Sequence, residues 1–181
     1  MPINKIKQVF YNSRIRRDRK KLSRTLELKS WDQIRTIGFL YVVPDETEYV
    51  RFTDFVGRLQ SQKKDVKAMG LLRSKNIPHY CYPRLAFDYI SRKSLTWYGI
   101  PRGLKISDFL NNEFDLLVNI DMEDNRIFNY IVAASRAHLK AGTCREKYAE
   151  IYDLMINVGE FKDYETLLEH IINYLNILRK S

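Results

Sequence analysis

The stretch IRTIGFLYVVPDETEYVRFTDFVGRLQSQKKDVKAMGLL, residues 34–72, decides the fold. Its first ten residues, 34–43, form an apolar run rich in Ile, Val, Phe and Tyr, the composition of a strand buried on both faces. Pro44 ends that run, because proline has no amide to give to a ladder. Asp45 then stands where a helix N-cap belongs, with Glu48 three residues on, as in a capping box. Tyr49, Phe52, Phe55, Val56 and Leu59 recur at helical spacing and mark the face that turns to the core. VKAMGLL (66–72) follows as a second buried strand. Strand, helix and strand in this order make a parallel unit with a right-handed crossover.

The same alternation continues outward. A short strand is expected near Leu85–Tyr89, a helix over ISDFLNN (106–112) capped by Ser107, and a buried strand over FDLLVNID (114–121). NRIFNYIVAASRA (125–137) repeats apolar residues as a helix does, and HLKAG and YDLMINV read as two further short strands. The chain closes on an amphipathic helix, 163–180, with Asp163 and Glu165 in its first turn and Arg179 and Lys180 in its last, which suits the helix dipole. This pattern predicts an α/β protein, a three-layer sandwich with a mainly parallel, Rossmann-like sheet. Residues 31–181 form a single domain on this reading, preceded by a basic helical arm over 1–30.

Charge is distributed unevenly. The 181 residues carry a net charge of +9, and residues 1–30 hold ten basic side chains against Asp18 and Glu27. The arm therefore contributes +8, and the remaining domain is close to neutral. Within 3–28, which reads as helix, SRIRRDRKKLSR (13–24) places Arg14, Arg16, Arg17, Arg19, Lys20, Lys21 and Arg24 around a narrow apolar stripe of Tyr11, Ile15, Leu22 and Leu26. Ile3, Ile6, Val9 and Phe10 fall on a different face. A membrane-surface helix needs a broad apolar face, whereas arginine's planar fork suits phosphate oxygens. Hydrophobic content of 45% and charged content of 29% describe a folded chain rather than a disordered one. Two cysteines, Cys81 and Cys144, build no disulfide framework, and no apolar run reaches membrane-span length. A cytoplasmic setting is the expectation.

Catalytic motifs are absent from the strand ends, where a doubly wound sheet binds its ligands. The turn after the first strand, PDETEY, has no glycine and three carboxylates, so backbone amides cannot cradle a phosphate there. No nucleotide cofactor is expected at this turn. After the third long strand, NIDMEDN gathers Asp121, Glu123 and Asp124; these residue types suit a Mg²⁺ site or acid–base work, and equally a capped helix with solvated neighbours. His79, His138 and His170 lack zinc-ligand spacing, and no metal is expected. In SLTWYGIP (94–101), Trp97 and Tyr98 precede a glycine turn and could stack a base or cover the edge of the core. His79, Trp97 and Asp121 are the candidate pocket residues.

The stretch FDLLVNIDMEDNRIFNYIVAASRAHLKAG (114–142), with the basic start, the TWYGIP loop and the final IINYLNILRK, resembles an uncharacterised bacterial domain of unknown function. That resemblance implies no activity. Residues 114–142 are also similar to the N-terminal domain of heptosyltransferase-like glycosyltransferases, where a strand leads through a helix to a short R-x-G strand; Phe114–Asp121 and Lys140–Gly142 match. This implies a related topology. The first turn lacks that family's glycine-containing loop, and no second nucleotide-sugar domain fits within 181 residues.

The leading expectation is a non-enzymatic RNA-binding protein, ribosome-associated in one version, whose seven basic residues at 14–24 contact phosphates. The alternatives are a small-molecule-binding or transferase-like protein with a pocket at the carboxyl ends of the strands, and a protein-interaction module whose partner is another protein.

Overall fold

In the computed structural model, which describes residues 2–74, 76–81, 85–157, 159 and 163–178, six parallel strands form one sheet. They are β1 (Thr36–Val42), β2 (Asp65–Leu71), β3 (Phe87–Ile90), β4 (Leu116–Asn119), β5 (Leu139–Thr143) and β6 (Leu154–Ile156). Their order is β3-β2-β1-β4-β5-β6, the doubly wound arrangement in which chain direction across the sheet reverses between β1 and β4. The α/β, Rossmann-like reading of the sequence holds. Among the described residues five α-helices cover the sheet: α1 (Pro2–Lys21), α2 (Glu46–Ser61), α3 (Leu104–Asn111), α4 (Arg126–Ala134) and α5 (Tyr164–Leu178).

The two faces bury different residues because side chains alternate along each strand. Ile37, Phe39 and Tyr41 of β1 join Leu116 and Val118 of β4 under α2 and α5. Leu40 and Leu117 point the other way, into a second core with Tyr11 of α1, Phe109 of α3, and Phe128 and Ile131 of α4. The helices on both faces make the strands apolar throughout, as 34–43 suggested. Asp45 caps α2 by accepting the Glu48 amide at 3.0 Å, and Tyr49, Phe52, Phe55, Val56 and Leu59 are all buried. The box is half formed, since the Glu48 carboxylate turns to Arg51 at 2.7 Å.

Three local readings change. The first helix ends at Lys21 instead of 28. Residues 22–30 run without helix because their polar side chains are claimed from afar: Arg24 by Asp153 at 2.5 Å and Lys29 by Asp115 at 2.6 Å. Helix α3 begins a turn early, at Gly103–Leu104, where φ of +126° at Gly103 suits glycine; Ser107 lies inside it, its amide bonded to the Gly103 carbonyl at 3.0 Å. The strand expected near Leu85 is Phe87–Ile90. Arg179 and Lys180, assigned to the last helix turn, lie outside the described residues.

The N-terminal helix is part of the layered body. Tyr11 is buried, its hydroxyl donates to the Arg126 carbonyl, and the Arg126 guanidinium sits 4.0 Å from its ring centroid. Among the described residues no helix is long and apolar enough to cross a membrane.

Candidate functional site

The connections that leave the carboxyl ends of β1 and β4 run to opposite faces of the sheet at the switch point, and side chains from both line the space there. After β4 the turn is fixed by Asn119, whose amide group donates to the Tyr152 hydroxyl at 2.7 Å while its carbonyl accepts the Asp121 amide at 3.1 Å. Asp121 continues the turn by accepting the Glu123 amide on Oδ1 at 3.1 Å. A cavity of about 170 Å³ opens here, lined by Tyr41, Glu48, Phe52, Asp121, Met122 and Tyr164 among others. A cleft of about 510 Å³ over the ends of β1 and β2 shares Pro44 with it and includes Arg73. A third, about 200 Å³ beyond β5 and β6, shares Met122 and includes Arg145. Pro44 and Met122 thus each border two of these spaces, and the three follow one another as a crevice of separate hollows along the carboxyl edge of the sheet.

Buried polar atoms nearly always find partners. Among the described residues three buried side-chain oxygens have none in the protein: Asp121 Oδ2, Tyr41 OH and Tyr164 OH. All three residues line the same cavity. Asp121 is only 8% exposed. Burial pushes its carboxyl above the ordinary value, and the Glu123 amide with the nearby Arg145 and Arg73 charges restrains that rise. Tyr41 is buried too; its ring lies against Phe52, with centroids 4.6 Å apart, and leans over the bare Cα of Gly70. Beside it, Tyr49 and Tyr89 share a hydrogen bond of 2.6 Å.

The three candidate pocket residues do not meet. Asp121 lines the cavity, whereas His79 is exposed with its Nε2 3.6 Å from a Glu46 carboxylate oxygen. Trp97 packs on the other side of the sheet's rim, against Phe10 of α1 at 5.1 Å between centroids and against Tyr98 at 5.2 Å. The neighbours of Asp121 separate in the same way. Asn125 caps α4 through the Ile127 amide, and Asp124 takes Asn129 and Lys147. No group of three or more metal-ligating side chains exists among the described residues. Tyr41, Tyr164, Arg73 and Arg145 complete the crevice and were not singled out from sequence; Tyr41 reads there as one more core aromatic, and the arginines carry no motif.

The seven basic residues of the arm split into two groups. Arg14 pairs with Asp18 at 2.6 Å, Arg17 approaches the same carboxylate at 3.8 Å, and Tyr130 of α4 donates to it at 2.8 Å. Arg19 reaches Glu150 at 2.5 Å, and Arg24 forks onto Asp153. Arg16, Lys20 and Lys21 are exposed and make no ion pair among the described residues. Nearer the start of α1 lies an apolar surface: Val9 is 65% exposed, Trp97 57% and Phe10 51%. Gly99, at φ +89°, turns the chain so that Trp97 and Tyr98 stand at a loop tip against α1.

A model of the Family of unknown function (DUF6913) matches residues 7–178. No curated protein and no solved structure matches the chain, so the local likeness to heptosyltransferase-like enzymes has no counterpart among the comparisons.

Proposed function

The chain belongs to this family of unknown function, and on the geometry of the crevice we propose that it is a small-molecule-binding α/β protein whose site is the β1/β4 switch point. The observation that carries this reading is Asp121 Oδ2, a buried carboxylate oxygen with no protein partner on the wall of a cavity. A doubly wound sheet binds ligands at this place because the diverging connections leave a gap there. Leaving such an oxygen unpaired costs stability, and a ligand's N–H or O–H would satisfy it. A cavity of about 150 Å³ accommodates benzene, so the 170 Å³ space suits a molecule of similar size or one end of a longer one.

The test is ligand-observed NMR of the full chain against a set of small polar fragments, run in parallel with Asp121→Asn. Asparagine keeps an acceptor for the Glu123 amide but removes the charge. Binding by the wild type that weakens in the variant supports the site. Binding unchanged by the substitution, or none at all, overturns it.

A second reading has its own observation: α1 carries exposed Phe10, packed against Trp97 and Tyr98, and further along the same helix the exposed Arg16, Lys20 and Lys21, which make no ion pair among the described residues. Aromatic faces beside free cations are how proteins hold single-stranded nucleic acid. On this reading the outer side of α1 binds single-stranded RNA. A labelled oligo(U) titration tests it: about four phosphate contacts give a log–log salt slope near −3. Trp97→Ala and the Lys20→Ala/Lys21→Ala pair should each weaken binding, the second with a shallower slope. Binding that ignores salt, or that survives both changes, removes this reading.

A further inference from the structure

The crevice holds more information than the presence of a site. The polar groups of the central cavity are acceptors or hydroxyls, namely Asp121, Glu48, Tyr41 and Tyr164. Glu48 is already occupied by Arg51. Asp121 therefore calls for a donor. The clefts on either side supply the opposite charge. Arg145 follows β5 and donates to the Asp121 backbone carbonyl at 3.4 Å. Arg73 follows β2 and stands on the other side, in the cleft that shares Pro44. Neither guanidinium makes a salt bridge among the described residues. Both charges favour the ionised form of Asp121. Guanidiniums with no carboxylate partner among the described residues, one on each side of a buried carboxylate, form an acceptor flanked by anion-binding forks.

Resting on the crevice reading above, we infer that the ligand is a small organic anion carrying a hydrogen-bond donor, its donor held by Asp121 and its carboxylate or phosphate by Arg73 or Arg145. The donor is a hydroxyl or an ammonium, since either satisfies a carboxylate oxygen. Phosphate recognition by backbone is not what this site offers, because Asp45 already occupies the N-terminus of α2. Any anion must be taken by the arginine side chains.

Four three-carbon probes separate these elements: glycerate has a hydroxyl and a carboxylate, β-alanine an ammonium and a carboxylate, propionate only the anion, and glycerol only donors. Their affinities for the full chain are measured by saturation-transfer NMR, together with those for Asp121→Asn, Arg73→Ala and Arg145→Ala. Arg73 is exposed and Arg145 half-buried, so neither variant removes a core side chain, although Arg145→Ala also gives up the bond to the Asp121 carbonyl. Glycerate or β-alanine should bind at least about tenfold tighter than both propionate and glycerol, as charge-assisted pairs predict; which of the two wins identifies the donor. Asp121→Asn should bring the better one down to propionate, and loss of the arginines should bring it down to glycerol. If glycerol binds as well as glycerate and still depends on Asp121, the crevice stands and the anion assignment is overturned. If none of the probes binds, both fail.

Discussion

Arg24 lays its guanidinium across both carboxylate oxygens of Asp153, at 2.5 and 3.0 Å, joining positions 129 residues apart. Asp153 also accepts the Lys140 amide at 2.9 Å, and Arg24 donates to the His138 carbonyl at 3.0 Å. The fork therefore ties the segment after α1 to β5 and to the turn before β6. Planar, two-point pairing of this kind holds geometry better than a single contact.

Replacing Arg24 by Ala leaves Asp153 half-buried without its cation. The expected loss is about 1–3 kcal/mol in urea unfolding, because a partly buried, two-point pair loses one partner. Lys21→Ala, three residues earlier and exposed, should change stability by less than about 0.5 kcal/mol. Equal effects would mean that the fork contributes no more than a surface charge.

Gly70 tests the packing beneath the site. A Cβ there would lie 2.7 Å from Tyr41 Cζ and 2.8 Å from its hydroxyl. Gly70→Ala must displace the ring that lines the cavity, and overpacking of this kind costs about 1–3 kcal/mol. Gly57 sits in α2 with nothing near its Cβ position. Gly57→Ala should stabilise by about 0.5–1 kcal/mol through helix propensity. Unfolding midpoints for the two variants should move in opposite directions, and movement in the same direction would contradict the account of Tyr41.

Acid stability should depend on Asp115. Burial alone would raise its carboxyl, but the Lys29 ammonium at 2.6 Å and the Arg35 and Thr36 amides at 2.7 and 3.0 Å outweigh that and hold it below the ordinary value. A lowered folded value adds stability above the unfolded carboxyl range, near pH 3.9 for about the ordinary Asp. That stability is lost as pH falls through the folded value. Asp115→Asn should therefore be less stable than the wild type at neutral pH, with the difference shrinking below about pH 4. A difference that stays constant down to pH 2 would assign the loss to packing instead.

The sequence makes the β1–α2–β2 unit visible because its signals are local: an apolar run, Pro44, the Asp45 cap and helical spacing through Leu59. Sheet order is not local, and neither is the end of α1. Leu22 and Leu26 keep helical spacing, yet Arg24 and Lys29 are drawn to Asp153 and Asp115, more than eighty residues away, and the helix stops at Lys21. The site shows the same division. Asp121 stands out in the sequence as one of three acidic residues, but nothing there distinguishes the buried one from Asp124, which pairs with Lys147 at the surface. His79 and Trp97 drew attention by residue type and lie elsewhere. Arg73 and Arg145 matter through position at the strand ends, which only the strand order reveals.

The central claim is that the charge of Asp121, carried on its unpartnered Oδ2, serves a ligand and not the fold. Its carboxyl is raised by burial, so the native state holds its proton more tightly than the unfolded chain. The sign is opposite to that of Asp115: stability is fullest below about pH 3.9 and falls as pH rises through the folded value. The most direct measurement is the unfolding free energy of Asp121→Asn against the wild type from acid to neutral pH, without ligand. The account predicts that the variant is more stable at pH 7, by on the order of 1 kcal/mol for a relieved buried charge, with the gain vanishing in acid. A variant less stable than the wild type at pH 7 would make Asp121 a structural residue and contradict the claim.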